Sequence, residues 1–157
     1  MGYKIISGGQ TGADLAGLKA AKEIGIKTGG IAPKTYRTEL GPNLALKSIY
    51  ELDEDSDFSY TPRTLKNVKN SDCTIIIYHN RNSPGTNLTR KYCREQNKPF
   101  LNIDIENPHN PFQITQWIKK YNYRTINIAG NRENSEIKFE ERVFEYLKLV
   151  FSELVKE

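Results

Sequence analysis

The chain has 157 residues and carries 23 Lys and Arg against 19 Asp and Glu, which gives a net charge of +4. This length fits one domain, residues 1–157, that can bury its core without disulfides or a structural metal. No apolar run approaches the ~20 residues that a membrane-spanning helix needs, which excludes a membrane protein.

Strand and helix patterns alternate along the chain, although the mean hydropathy of −0.65 is low for a folded protein. The strand patterns lie at 5–6, 27–32, 73–78, 99–103 and 125–129, and the helical patterns lie at 13–24, 61–70, 86–96, 111–118 and 143–154. Residues 73–78 are apolar without alternation, which is typical of a central strand covered on both faces. The alternation predicts an α/β fold: an open, mostly parallel sheet of about five strands with helices on both faces.

Three loops at strand ends carry unusual residues, namely 7–14, 83–86 and 130–133. Ligands of open parallel sheets bind outside the carboxyl ends of the strands. A strand order of 2-1-3-4-5 would place the first two loops side by side. We therefore expect a pocket in which backbone N–H groups and two helix N-termini face a ligand.

The first loop, 7–14, is the strongest of the three signals. Gly8, Gly9 and Gly12 permit positive φ and close approach of a ligand, and the following helix offers unpaired N–H groups to an oxyanion. The spacing matches neither the dinucleotide fingerprint nor the Walker A loop. The alternative interpretation is a tight turn in which Thr11 is the N-cap and Asp14 completes a capping box. Both interpretations can hold together.

The remaining candidates are weaker. Residues 83–86 form a second anion-type loop or a helix cap, and Arg132 and Glu133 are a charged pair at the pocket edge or on the surface. The acidic stretch 51–55 is expected to be a solvated loop. The following residues have no partner at catalytic or metal-ligand spacing and are expected to be structural: His79, His109, Cys73 and Cys93.

The composition also limits location and partners. The cysteine usage and the absence of a signal-peptide pattern favour a reduced, cytoplasmic protein with no bound metal. The basic residues are mixed with acidic ones and form no long basic run, which argues against specific binding of nucleic acid. A modest positive charge suits attraction of a small anion.

The octapeptide Ser7-Gly-Gly-Gln-Thr-Gly-Ala-Asp14 resembles the signature of the molybdenum cofactor carrier family. That family belongs to the Rossmann-like proteins that include the cytokinin-activating LOG phosphoribohydrolases. The likeness continues in order to residue 133, at Gly29-Gly30, Pro33-Lys34, Arg37, Glu39, Gly41, Tyr60-Thr61, Arg63-Thr64, Asn67, Ser71-Asp72, Gly85-Thr86, Asn127-Ile-Ala-Gly130 and Arg132-Glu133.

The resemblance implies a single Rossmann-like three-layer domain that forms a homo-oligomer, specifically a tetramer. It also implies that the carried ligand is molybdenum cofactor, a phosphorylated pterin dithiolene with an oxo-molybdenum centre. The residues expected to bind it are Gly8, Gly9, Gln10, Thr11, Gly12, Asp14, Pro33, Lys34, Arg37, Glu39, Arg63, Asn67, Ser83, Gly85, Thr86, Gly130, Arg132 and Glu133.

The chain departs from the family pattern at Thr35, Tyr36, Leu40, Pro84 and Asn131. Two other functions therefore stay open beside the carrier. One is a phosphoribohydrolase that cuts the N-glycosidic bond of a nucleoside monophosphate, for which Asp14 or Glu133 would have to supply the acid or base. LOG enzymes carry a catalytic Glu where this chain has Thr89. The other is a protein that sequesters a signalling nucleotide.

Overall fold

A computed structural model describes residues 2–156 of the chain. The strands are β1 (Lys4–Ile6), β2 (Lys27–Gly29), β3 (Ile31–Ala32), β4 (Arg37–Thr38), β5 (Gly41–Pro42), β6 (Asp53–Glu54), β7 (Cys73–Tyr78), β8 (Phe100–Asp104) and β9 (Thr125–Gly130). The helices are α1 (Ala13–Ile24), α2 (Ala45–Ser48), α3 (Tyr60–Lys69), α4 (Pro84–Glu95), α5 (Pro111–Lys120) and α6 (Phe139–Leu154).

The central sheet has five parallel strands in the order β2-β1-β9-β7-β8. The expected order, 2-1-3-4-5, is wrong, because the last strand of the chain is inserted between β1 and β7. Ile126 of β9 lies opposite both Ile5 of β1 and Cys73 of β7. The insertion follows from helix packing, since α6, which comes after β9, packs against α1, which comes after β1. The loop after β9 therefore lies between the other two strand-end loops.

Helices cover both faces of this sheet, as the alternation predicted. The large core cluster lies between the sheet and α1, α5 and α6, and it includes Ile75 and Ile77 of β7. The buried side chain of Thr74 points to the opposite face, where it hydrogen-bonds Cys93 of α4. Along a strand, successive side chains alternate between the two faces, and because helices cover both faces, every residue of β7 is buried. The architecture is a three-layer α/β fold.

A smaller unit is built from the segment between β2 and α3. Here β3 pairs in parallel with β6, and β4 pairs with β5 as a short hairpin. A second core cluster, of Leu18, Ala32, Tyr36, Leu46 and Leu52, holds this segment against α1. The expected single strand over 27–32 is wrong because Gly30, at φ +126°, breaks it in two. A Cβ at Gly30 would lie 2.2 Å from the carbonyl oxygen of Ser7.

Two further expectations need correction. The acidic stretch 51–55 is not a solvated loop throughout, because Leu52 and Asp55 are buried and Asp55 forms a 2.9 Å ion pair with Lys66. The start of α3 lies at Tyr60, with Ser59 as its N-cap, rather than at Thr61. Within residues 2–156, no helix has both the length and the apolar character to cross a bilayer.

Candidate functional site

A cavity of about 710 Å³ lies at the carboxyl ends of β1, β9 and β7. This volume is in the range of small-molecule binding sites. The first turns of α3 and α4 form two of its walls, and the loop after β9 forms its floor. Its lining residues are Gln10, Asp14, Tyr60, Arg63, Thr64, His79, Asn80, Ser83, Pro84, Gly85, Leu88, Thr89, Ala129, Gly130, Asn131, Arg132, Glu133, Asn134, Ser135 and Glu136.

The glycine-rich loop after β1 is packed against the protein itself. Three of its N–H groups donate to protein oxygens: Gly9 to Ser7 Oγ at 3.3 Å, Gln10 to Asp14 Oδ2 at 3.2 Å and Gly12 to Glu140 Oε1 at 2.7 Å. These N–H groups are therefore not available to an anion unless the protein oxygens give way. The expected N-cap, Thr11, is wrong, since Gly12 at φ +86° caps α1.

The glycines of this loop allow neighbouring parts of the protein to pack closely against its backbone. A Cβ at Gly8 would lie 1.8 Å from Arg63 Nη1, and one at Gly12 would lie 2.3 Å from the carbonyl oxygen of Asn131. A Cβ at Gly9 would press into the side chain of Leu46 at 2.6 Å. The loop thus lets the β9 loop and Arg63 approach the end of β1 more closely than any side chain would permit.

The N-terminus of α4 faces the cavity more openly. Ser83 is its N-cap and accepts a hydrogen bond from Thr86 N at 3.3 Å, while Pro84 occupies the first turn. A Cβ at Gly85 would meet no atom within 4 Å. Helix N-termini favour negative charge through their N–H groups and dipole, so this wall is suited to an anion.

Asp14 and Arg63 form the buried ion pair of the site, with Oδ2 and Nη1 3.3 Å apart. Burial raises the pKa of the Asp14 carboxyl above its ordinary value, although the charges of Arg63 and Arg132 act in the opposite direction. Burial also lowers the pKa of the Arg63 guanidinium, against the attraction of Asp14. The pair is therefore held at an electrostatic cost, which is characteristic of functional sites.

Two polar atoms of cavity-lining residues are buried without a hydrogen-bond partner in residues 2–156: Gln10 Oε1 and Arg63 Nε. The orientation of the Gln10 amide is set by its Nε2, which donates to the carbonyl oxygen of Arg37 at 2.8 Å. Buried polar groups are normally paired, so leaving this acceptor and this donor without a partner carries an energetic cost.

Three guanidinium groups lie near the ring of Tyr60. The Cζ atoms of Arg132, Arg37 and Arg63 lie 4.6, 4.8 and 5.6 Å from the ring centroid. Arg132 also forms a 3.8 Å ion pair with Glu39, which accepts a hydrogen bond from the hydroxyl of Thr11. Two of these cations, on Arg63 and Arg132, line the cavity, together with the carboxyl groups of Asp14, Glu133 and Glu136.

Eight of the eighteen residues predicted to bind the ligand line the cavity: Gln10, Asp14, Arg63, Ser83, Gly85, Gly130, Arg132 and Glu133. The other ten do not line it: Gly8, Gly9, Thr11, Gly12, Pro33, Lys34, Arg37, Glu39, Asn67 and Thr86. Asn67, for example, uses its amide to bind both the N–H and the carbonyl oxygen of Ile31, and Lys34 lies over the ring of Phe58.

Sequence reasoning missed several lining residues. Tyr60 and Thr64 flank Arg63 on α3, and Leu88 and Thr89 follow Gly85 by one helical turn. The period of 3.6 residues could have identified Tyr60, Leu88 and Thr89, because residues three or four positions from a predicted site residue share its helix face. His79, expected to be structural, lies at the cavity and also packs edge-on against Phe139 at 4.8 Å.

The five departures from the family pattern fall into two groups. Thr35 and Tyr36 adopt positive φ, at 62° and 56°, and Leu40 is 85% exposed, all away from the cavity. Pro84 and Asn131 line the cavity. The Asn131 amide accepts from the N–H groups of residues 79 and 80 and donates to Ser83 Oγ, so it ties the β9 loop to the β7 loop.

The carboxylates considered for catalysis have structural partners. Asp14 is paired with Arg63, and Glu133 Oε1 accepts from the backbone N–H groups of Asn134 and Glu140 at 2.8 Å each. Thr89 donates from its hydroxyl to the carbonyl oxygen of Gly85. In the described part of the chain, no group of three or more His, Cys, Asp or Glu side chains is arranged to hold a metal ion.

Comparison with known proteins agrees with the resemblance seen in the sequence. The structure is similar to the crystal structure of the protein named "Putative molybdenum carrier protein" from Syntrophus aciditrophicus SB, with a TM-score of 0.82 and 34% identity over 94% of this chain and 93% of that chain. No curated protein gave a significant match. The sequence model of the circularly permutated YpsA SLOG family, cpYpsA, matches residues 5–151. The chain therefore belongs to the circularly permutated YpsA SLOG family.

Proposed function

We propose that this protein is a molybdenum-carrier-like binding protein that holds molybdenum cofactor, or a related phosphorylated pterin or nucleotide-like anion, without turnover. One observation carries the proposal: the cavity at the strand ends is lined by Arg63, Arg132 and the N-terminus of α4. These groups suit phosphate oxygens. The 34% identical structural relative, which spans nearly the whole chain, carries the name of a molybdenum carrier.

The chemistry of the cavity fits such a cargo. Guanidinium groups, here those of Arg63 and Arg132, donate hydrogen bonds to phosphate and to other oxyanions. A cofactor that brings its metal already bound to its own dithiolene needs no protein ligand for the metal. Holding the ligand then depends on hydrogen bonds and charge.

A binding role is also favoured over hydrolysis of a nucleoside monophosphate. General acid–base catalysis needs a carboxyl or comparable group that is free to exchange a proton with the substrate. Asp14 is engaged with Arg63, Glu133 is bonded to backbone N–H groups, and the position of the LOG glutamate is Thr89. Release of free base from nucleoside monophosphates, abolished in Asp14→Ala and Glu133→Ala, would establish the enzyme instead.

Native mass spectrometry of gently purified protein tests the proposal most directly. The expected spectrum contains a retained ligand whose mass includes phosphate, and it also reports the number of subunits. We propose a cytoplasmic homo-oligomer, specifically a tetramer, and the exposed side chains of Phe112, Tyr121 and Leu149 are consistent with a subunit contact. A ligand-free monomer from all gentle preparations would contradict both parts.

A substitution at the N-terminus of α4, compared with a control substitution at its other end, tests where the ligand binds. Gly85→Val should lower the affinity for guanosine monophosphate, used as a probe, about tenfold or more, because the new side chain occupies open space in the cavity. The melting temperature should not fall, since no atom lies within 4 Å of the new Cβ. Isothermal titration calorimetry measures the affinity. Arg94→Ala, at the other end of α4, is the control and should bind like wild type.

A further inference from the structure

One edge of the central sheet, strand β8, is open to a further strand. Among the described residues, β8 pairs with β7 on one side and with no strand on the other, and all its residues except Ile103 are partly exposed. Proteins usually protect such edges with proline, lysine, a bulge or a very short strand. At five residues, β8 is longer than the opposite edge strand β2, and it contains no proline, lysine or glycine.

The hydrogen bonds to β7 show which backbone groups of β8 point outward. Thr74 N donates to the carbonyl oxygen of Pro99 at 3.1 Å, and Ile105 N donates to that of Tyr78 at 2.9 Å. A strand in a parallel pair bonds to its neighbour through every second residue. The odd-numbered residues of 99–105 therefore bond to β7, and the even-numbered ones face away from the sheet.

Three N–H groups of β8 are thus left at the outer edge, those of Phe100, Asn102 and Asp104. No acceptor within residues 2–156 binds them. The carbonyl oxygen of Asp104 accepts from Asn107 N at 3.0 Å, whereas the carbonyl oxygens of Phe100 and Asn102 have no protein donor in the same residues. Unpaired groups at alternate positions are what a further strand completes.

The side chains of this row carry opposite charges near its two ends. The guanidinium of Arg94, on α4, lies 5.5 Å from the ring centroid of Phe100. Asp104 is at the other end, where its Oδ1 accepts from the N–H of Glu106 at 2.9 Å. In the described chain, neither Arg94 nor Asp104 forms an ion pair, and Arg142, the cation near Asp104, is paired with Glu106 at 2.8 Å. Both charges are therefore available to a second chain.

A row with opposite charges at its ends is complementary to itself when it is reversed. If two β8 strands pair antiparallel with Asn102 opposite Asn102, then Phe100 of each copy lies opposite Asp104 of the other. Side chains directly opposite on one face lie about 5 Å apart, so Arg94 above Phe100 reaches that carboxyl. An acidic or a basic peptide of another protein would match only one end of the row. A second copy matches both.

We infer that the outer edge of β8 is a subunit contact, at which two copies of the chain join their sheets by antiparallel pairing about Asn102. The inference rests on the homo-oligomer of the proposed function and names one of its contacts. Two-fold contacts of this kind are the commonest between identical subunits, and a tetramer built from them needs a second contact besides this one. No residue of β8 lines the strand-end cavity, so the contact leaves ligand binding unchanged.

Hydrogen exchange at single-residue resolution tests the pairing on the full, assembled chain. In wild type, the amides of residues 100, 102 and 104 should exchange at least about a hundredfold more slowly than in a dissociated variant, because they are bonded across the contact. The amides of residues 101, 103 and 105 should be protected in both, since they bond to β7. This alternation distinguishes strand pairing from general burial at an interface.

The dissociating variant is Asn102→Pro, which removes the N–H at the centre of the contact and no hydrogen bond to β7. It also removes the acceptor of Arg90 Nε, which lies 2.6 Å from Asn102 Oδ1, so Asn102→Ala is the matched control. Size-exclusion chromatography with light scattering should give half the wild-type molar mass for the proline variant and the full mass for the alanine variant. Melting temperatures show whether both are folded.

Exchanging the two charges gives a second test that does not depend on proline. Asp104→Arg and Arg94→Asp each place like charges together across the contact, so each should halve the molar mass. The double variant restores an opposite pair and should recover the wild-type mass. Lys22→Asp, an exposed charge on α1, which packs against β1 and β2, is the control and should keep the wild-type mass.

Different results overturn different parts of the proposal. An oligomer whose amides at 100, 102 and 104 exchange as fast as their counterparts in folded Asn102→Pro, or whose mass neither the proline nor the charge variants change, overturns the β8 contact and leaves the homo-oligomer in place. Failure of the double charge variant to recover the mass overturns the two-fold arrangement. A wild-type monomer overturns the contact and the homo-oligomer together. The ligand retained in native mass spectrometry decides the binding function separately.

Discussion

At the scale of single residues, Asn131 shows how a departure from the family pattern is used. The molybdenum cofactor carrier pattern that the sequence resembles has proline at this position, whereas the Asn131 amide bridges the β9 and β7 loops with hydrogen bonds to residues 79, 80 and 83. Its own N–H donates to the carbonyl oxygen of Ile77. Proline could supply none of these interactions. The side chain thereby fixes the distance between two of the loops that enclose the cavity.

Replacing this amide tests its contribution. Asn131→Ala should lower the free energy of unfolding by about 2 kcal/mol, because it leaves the partly buried N–H groups of residues 79 and 80 without their side-chain acceptor. Urea denaturation measures the change. Asn82→Ala, at an exposed position in the neighbouring loop, is the control and should stay within about 0.5 kcal/mol of wild type. Equal effects of the two substitutions would contradict the bridging role.

Asp55 gives a pH dependence at the same scale. Its hydrogen bond with Lys66, assisted by the N–H of Asp57, lowers the pKa of the carboxyl below its ordinary value of 3.8. The unfolded chain therefore binds more protons at acid pH, so the stabilisation is present above about pH 5 and is lost as the pH falls below 3.8.

The measurement compares wild type with Asp55→Asn by urea unfolding at pH 7, 5, 4 and 3. The variant should be less stable at pH 7, and its difference from wild type should shrink between pH 4 and 3. Asp53→Asn, an exposed neighbour in the same stretch, should show little difference at any pH. A constant difference for Asp55→Asn from pH 7 to 3 would show that its charge does not matter.

At the scale of elements, the two glycine-containing loops differ from what their sequences indicate about which of them is open to a ligand. The loop after β1 has the stronger signature, yet three of its N–H groups are bonded to Ser7, Asp14 and Glu140. The loop before α4 has the weaker signature and is more open to the cavity. Glycine marks a position where a side chain would not fit, and the sequence does not reveal whether a ligand or another strand end occupies the space.

Gly130 at the end of β9 illustrates the packing use of glycine. A Cβ there would lie 1.8 Å from the carbonyl oxygen of Ile77 and 2.8 Å from Ala13. Gly130→Ala should therefore destabilise the fold by about 3 kcal/mol, measured by urea denaturation, because the strand end cannot stay so close to β7 and α1.

Substitutions at two other glycines separate backbone strain from steric clash as the cause of the destabilisation. Gly25→Ala places a side chain at φ +90° in open space and should cost about 1 kcal/mol from backbone strain alone. Gly85→Ala has neither strain nor a clash and should be nearly neutral. If Gly130→Ala cost no more than Gly25→Ala, close packing of β9 would not be the reason for this glycine.

At the scale of the whole molecule, the structure has a well-packed centre and a smaller attached unit. The strands β9 and β7 lie inside the sheet and their isoleucine side chains are fully buried. The segment from β3 to β6 is held by a cluster of only five buried residues and by two-residue strands. Regions with few buried apolar contacts open first.

Hydrogen exchange followed by mass spectrometry should reproduce this division. Backbone amides of β7 and β9 should exchange most slowly, and those of residues 33–58 should exchange at least about a hundredfold faster, which corresponds to about 2.7 kcal/mol of local stability. The edge strand β2 serves as an internal reference between the two. Equal protection of residues 33–58 and β9 would indicate that the whole chain opens as one unit.

The sequence by itself determined the main helices and strands and the positions of the candidate site residues along them. Periodicity identified the buried segment of β7 and the one-sided helices, and Ser83, Gly85 and Arg132, which the sequence places after strands, line the cavity. These features are local, because they depend on the spacing of side chains within one element. The family resemblance was likewise carried by short motifs in order along the chain.

Only the tertiary structure decided how the elements meet. It placed β9 between β1 and β7, moved the glycine loop of β1 out of contact with much of the cavity, and brought Arg37 and Arg132 from distant segments to the ring of Tyr60. The reason is that strand order depends on which helices pack together, here α6 on α1. Such long-range packing is a property of complementary surfaces, and the pattern of any single segment does not record it.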